Sequence, residues 1–156
     1  MLNMWIISFL GFVTLSNPAK IEENVCLLCL PRPNIEIEEA SCVATGYLDT
    51  SENNETFTLP NSDGILRAFD MDINNESSDS ANTSKMVCAR FQTKTETISD
   101  ISLDIGAPLA CNSEGHFYLA GIINSSTFGN KGRHQEFLKI SHYVAWLLEN
   151  YASAKF

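Results

Sequence analysis

Basic side chains are scarce in this chain. Ten Lys and Arg stand against 19 Asp and Glu, a net charge of −9 over 156 residues. Nucleic-acid binding needs clustered cations against phosphate, so this balance excludes that partner class and describes an acidic protein drawn, if anywhere, to basic surfaces. Long apolar runs are lacking as well. The best one, inside residues 1–16, has about 11 largely apolar residues, well short of the ~20 that cross a bilayer as a helix. Histidine is rare: three occur, and none precedes His116. Cys26 and Cys29 form one Cys-x-x-Cys pair with no second pair to complete four zinc ligands, so no metal site is expected. No internal repeat is present.

The length allows one domain with a substantial core and is too short for two ordinary ones. Apolar content of 44% is that of a globular protein. Five cysteines occur, Cys26, Cys29, Cys42, Cys88 and Cys111. An odd count leaves at least one without a partner inside this chain. Four Asn-x-Ser/Thr sequons, at Asn54, Asn75, Asn82 and Asn124, are candidate glycosylation sites. Cysteines and sequons together favour an extracellular, secreted setting. Residues 1–16 read either as a signal peptide, with an apolar core of the right length and a cleavage point after Ser16, or as a buried β-strand over Phe12-Val13-Thr14-Leu15.

Along the chain, short apolar stretches alternate with polar loops. Val25–Pro31 is a β-like run, and residues 32–41 are an acidic loop. Ser41–Leu48 is a short strand interrupted at Gly46. Ile65–Ile73 alternates, and Met86–Phe91 is another strand, with polar loops over 49–63 and 74–85. Phe117–Ile123 is the strongest strand, and Glu114-Gly115 supplies a hairpin turn back to 107–111. Gly129, Gly132 and the charges between them read as surface loop. Ile140, Tyr143, Val144, Leu147, Leu148 and Tyr151 recur at helical spacing, with His142 and Glu149 opposite, so 141–151 is predicted as an amphipathic helix. The class is therefore all-β and antiparallel, a barrel, with one C-terminal helix.

Several stretches resemble, in order, the trypsin-like serine peptidases. Leu103-Asp104-Ile105-Gly106-Ala107-Pro108-Leu109-Ala110-Cys111 resembles their nucleophile segment Gly-Asp-Ser-Gly-Gly-Pro-Leu followed by Cys. Leu15-Ser16-Asn17-Pro18-Ala19 with Val25 and Cys29-Leu30-Pro31 resembles the connection between their two barrels. Cys42-Val43-Ala44-Thr45-Gly46-Tyr47, Leu66-Arg67 with Ile73, Met86-Val87-Cys88-Ala89, Phe117–Ile123 and Phe137–Leu147 resemble further family segments, so the likeness runs over 15–151. It implies a six-stranded Greek-key barrel, the second half of a two-barrel fold, spanning residues 17–156. The Thr-Gly-Tyr variant and the altered nucleophile segment resemble clip-type, masquerade-like homologues of arthropods.

The resemblance also implies losses. Ile105 stands where the serine nucleophile would be, and an aliphatic side chain has no nucleophilic atom. The acid position upstream falls near Phe9, and no histidine is available before His116. His116, His134 and His142 fall on a turn, a loop and the last helix, as surface residues. Leu103 replaces an oxyanion-hole glycine. Ile101 stands for a pocket cysteine whose partner is also missing, Ser99 for the pocket floor, and Asn124-Ser125-Ser126 for the substrate wall. Asp104, which in active relatives pairs with a new N-terminus, is expected half-buried, unpaired or hydrogen-bonded to local backbone. The family pattern pairs Cys42 with Cys111 and leaves Cys26, Cys29 and Cys88 unpaired or bonded outside this barrel.

The function these features imply is a secreted, non-catalytic binding or regulatory partner in an extracellular protease cascade. It would need no cofactor, would bind protein partners such as cascade proteases or an N-terminal barrel, and would not span a membrane. Two alternatives stay open: a fragment of a serine endopeptidase, and a small interaction protein using the Cys26/Cys29 thiols.

Overall fold

The computed structural model describes residues 10, 11, 13, 15–23, 25–33, 35, 37, 41–49, 64–73, 85–92, 102–123 and 134–153. Among these residues eight strands are formed: β1 (Cys42–Gly46), β2 (Leu48–Asp49), β3 (Arg67–Ile73), β4 (Met86–Phe91), β5 (Ser102–Leu103), β6 (Pro108–Ser113), β7 (His116–Ile123) and β8 (His134–Lys139). A 3-10 turn, Ile140–His142, leads into α1 (Val144–Ser153).

Six strands close a barrel in the order β1-β3-β4-β8-β7-β6, and β2 pairs with β5 beside it. Every strand pair is antiparallel. After the meander β1-β3-β4 the chain returns to lay β6 against β1, which is a Greek key. Period-two alternation decides which side chains enter the barrel. In β1 it turns Cys42, Ala44 and Gly46 inward, and in β6 it turns Leu109 and Cys111 inward. These meet Met71, Ala120, Ile123 and Phe137 in one core. Each large apolar side chain removed from water there contributes about 1.5–3 kcal/mol. Phe69 packs edge-on against Phe91, centroids 5.2 Å apart, across the β3–β4 pair.

The strongest predicted strand changes phase midway. Tyr118 and Ala120 face inward, and so do Gly121 and Ile123. The register with β6 shifts between Leu109 and Ala110, so a β-bulge absorbs the extra residue. At the other end, Glu114 (φ 53°) and Gly115 (φ 83°) make the two-residue turn, whose two positive φ values match a type I′ hairpin. The Asn112 side-chain oxygen accepts from Gly115 N–H at 2.9 Å.

Four expectations change. Val25–Pro31 is not a strand: only Cys29 bridges to the sheet, parallel to Tyr118, and Val25, Leu27, Leu28 and Leu30 are exposed. Between the loop at Gly129–Gly132 and the helix predicted from 141, where no strand is expected, β8 forms over His134–Lys139, because pairing with β4 overrides the polar composition of its first half. The helical signal then splits into the 3-10 turn and α1, with Ile140 and Val144 buried while Leu148 and Tyr151 stay exposed. Finally, β3 starts at Arg67, leaving Ile65 and Leu66 exposed, and the acidic 32–41 loop delivers Ile37 to the core. In the N-terminal stretch, the described Val13 and Leu15 are exposed and lie in no strand.

Candidate functional site

The nucleophile-like segment is a tight turn between β5 and β6. Leu103 ends β5, paired with Leu48 of β2, and its side chain is fully buried at 0% exposure. Its backbone continues the ladder: Asp104 N–H donates to Tyr47 O at 3.3 Å, and Tyr47 N–H donates to Asp104 Oδ1 at 2.8 Å. The carboxylate of Asp104 is thus bound to backbone as expected, but to a residue 57 positions away rather than to its own loop. Gly46 makes room for it. A Cβ at Gly46 would lie 2.6 Å from Asp104 Oδ1, so only a bare Cα permits this approach.

From there Ala107 N–H donates back to Asp104 O at 3.1 Å, closing a four-residue turn. Gly106 occupies its third position with φ 93°, as a type II turn requires. Gly106 N–H donates to Ile123 O at 2.8 Å, and Ile123 N–H donates to Ala107 O at 3.0 Å. The turn is therefore fixed to the end of β7. At its tip Ile105 projects to solvent, 63% exposed. That tip offers a branched hydrocarbon on a rigid backbone, with no atom that can attack a carbonyl or hold a proton.

His116 begins β7 and Ile123 ends it, so the His116 backbone lies about 23 Å along the strand from the residue that anchors the turn. His116 is exposed, with Nδ1 3.2 Å from Glu114 O. His142 is exposed on the 3-10 turn and meets the Tyr143 ring edge-on. His134 lies in β8; its side chain, like Ser99, Ile101 and the sequons Asn54, Asn75, Asn82 and Asn124, falls outside the described residues.

Cys42 and Cys111 face each other across β1 and β6 and are disulfide-bonded, Cα atoms 4.1 Å apart. Cys26 and Cys29 are free and exposed; Cys88 is free and buried in β4. Among the described residues no cluster of His, Cys, Asp or Glu could hold a metal, and no helix is long and apolar enough to cross a membrane.

Sequence reasoning missed one feature. Residues 29–33 and Ile35 run beside the β6–β7 turn and leave a groove of about 500 Å³, lined among others by Cys29, Arg32, Glu114, His116 and Tyr118. The available signal was Tyr118 itself, a phenol on the inward phase of a strand, where a buried hydroxyl normally seeks a partner. Burial raises the Tyr118 phenol above its ordinary value of 10.0. The folded state then holds this proton more tightly than the unfolded chain. The contribution of this group to stability is intact below pH 10 and is lost as pH rises from there through the folded value. Urea midpoints of Tyr118→Phe and wild type should therefore differ by a constant below pH 10 and shift in favour of the variant above it. Parallel alkaline limbs would contradict this.

Residues 10–147 match the sequence model of the trypsin family. The match takes in all eight strands, the Asp104–Ala107 turn and the start of α1, and the chain belongs to the trypsin family.

Proposed function

We propose that this trypsin-family domain is non-catalytic and acts by binding protein, as a secreted regulatory partner in an extracellular protease cascade. One observation carries the first half: Ile105, which the resemblance sets at the nucleophile position, stands at the tip of the turn, and its exposed side chain has no group to acylate. Two others support it. Leu103, in the place of an oxyanion-hole glycine, is buried in the core, so the segment on this side of the turn serves packing. His116 begins β7, at the far end of the strand from the turn's anchor. General-base chemistry needs an imidazole within about 3 Å of the group it deprotonates.

The binding half is supported by what the surface exposes. Val13, Leu15, Ile21, Val25, Leu27, Leu28 and Leu30 along the N-terminal strap, and Trp146, Leu148 and Tyr151 on α1, are all exposed. Large apolar residues in such number suit protein contact. The disulfide is consistent with secretion. We read residues 17–156 as the C-terminal barrel of the family's two-barrel arrangement, with an N-terminal barrel or another cascade protein as the natural cover for these residues.

The purified chain should not be labelled by a fluorophosphonate probe or hydrolyse peptide esters. Ile105→Ser should stay inert under the same conditions, because a serine alone gains neither base nor oxyanion hole. Stoichiometric labelling of the wild-type chain, or turnover by the single variant, would refute the non-catalytic reading.

A further inference from the structure

Four large apolar side chains, Tyr47, Ile65, Leu66 and Ile105, stand at one end of the barrel with between 40% and 63% of their surface exposed. Three neighbouring backbones bring them there. The β1–β3 ladder ends on the Gly46–Arg67 pair, and Tyr47 and Leu66 flank that pair on the same side. Tyr47 is also bound to Asp104, through its N–H to Oδ1 at 2.8 Å and its carbonyl to the Asp104 N–H at 3.3 Å, and Ile105 follows Asp104. Adjacent strands lie about 4.8 Å apart, so the backbones of Leu66, Tyr47 and Asp104 span only about 10 Å.

The backbone on either side of Ile105 is fixed, because Ala107 N–H donates to Asp104 O and Gly106 N–H to Ile123 O. A side chain presented from an ordered backbone loses little conformational freedom on association, which suits it to be an interface anchor. The turn is held at Ile123, whereas the strap meets β7 at Tyr118, about 16 Å away along the strand. This patch is therefore distinct from the strap's exposed residues.

Charge decides what can cover it. The chain has no Lys or Arg from Pro33 to Leu66 or from Thr95 to Asn130, the two stretches that supply all four residues, while both stretches carry Asp and Glu, Asp49 and Asp104 among them. Arg67, next to Leu66, turns its Nη1 onto Ile65 O at 3.2 Å. A second copy of the chain would bring a matching apolar patch together with another net charge of −9, and juxtaposed like charges oppose such a contact. A partner with cations around an apolar centre meets no such repulsion.

We propose, resting on the reading of this domain as a binding module, that Tyr47, Leu66 and Ile105 form a docking surface for a cationic amphipathic segment of a partner protein. The segment sets its aliphatic side chains on the patch and its Lys or Arg against the acids. The test titrates the full chain into a fluorescein-labelled amphipathic peptide of leucine and lysine and reads anisotropy, with a serine–lysine and a leucine–glutamate peptide as controls. The leucine–lysine peptide should bind most tightly, and its affinity should fall as salt is raised. Ile105→Ser and Leu66→Ser, both at exposed positions, should each weaken it about tenfold, the scale of one large aliphatic side chain withdrawn from water. Leu27→Ser on the strap and Leu148→Ser on α1 should leave it unchanged. Equal binding of either control peptide, or full affinity in Ile105→Ser, would overturn the proposal. Affinity lost in Leu27→Ser or Leu148→Ser instead would reject this surface and leave the binding function standing on another face. A wild-type dimer that Ile105→Ser dissolves would make the occupant a second copy and reject the cationic partner.

Discussion

Reduction of the Cys42–Cys111 bond lowers the free energy of unfolding by about 4 kcal/mol. The two cysteines are 69 residues apart in sequence and directly opposed in the register that joins β1 to β6. In the unfolded chain the bond removes the conformations of a long loop, and the chain-entropy scale gives that figure for a loop of this length. In the folded chain both residues are buried, and the ladder already holds them face to face. Reduction therefore changes the folded state little and the unfolded state much. Domains of this size have about 5–15 kcal/mol in total, so the effect is a large fraction of the whole. Urea titrations with and without a reductant that leaves the fold intact at zero denaturant measure it directly. A loss below about 1 kcal/mol would mean that the reduced unfolded chain keeps β1 and β6 together.

The second large effect is at Leu103. Replacing it with glycine, the residue of the active family pattern, should cost about 3–6 kcal/mol, combining a buried leucine truncation with the backbone freedom that glycine adds. The side chain is completely buried, in contact range of the space above Gly46, where its Cδ2 would stand 3.3 Å from a Cβ. Leu103→Gly, alone or with Ile105→Ser, is expected to melt far below the wild type and to show no hydrolysis. A variant as stable as wild type would place the Leu103 side chain outside the core. Leu103 thus supports packing at the start of the turn.

The sequence disclosed those parts of the fold whose local chemistry agreed with their tertiary setting. The β6–β7 hairpin was legible because Glu114-Gly115 can take positive φ and because Phe117–Ile123 is β-prone throughout. The barrel class came from the strand and turn pattern and the Cys42–Cys111 pair from the ordered resemblance, and both are present. β8 was not legible. His134-Gln135-Glu136 is polar, yet β4 pairs with all three residues, and Gln135 is buried in that pairing. Val25–Leu30 misled in the opposite way, apolar enough for a strand but meeting the sheet only at Cys29. Two-residue strands such as β2 and β5 leave no periodic trace. At the site, Ile105 could be singled out from sequence, whereas the Asp104–Tyr47 contact joins residues 57 apart and needed the β2–β5 pairing to become visible. The groove was hidden for the same reason: Arg32 and Glu114 share it only because Cys29 docks beside Tyr118.

The tight Glu114–Gly115 turn also bears on the order of folding events. It joins two barrel strands through a two-residue connection, so the β6–β7 hairpin can form on the microsecond scale. The β1–β6 seam spans 69 residues and must await a far slower encounter. Oxidation delivers that encounter in advance. The oxidised chain begins its search with the seam tethered to one edge of a ready hairpin nucleus, and barrel closure becomes a local step.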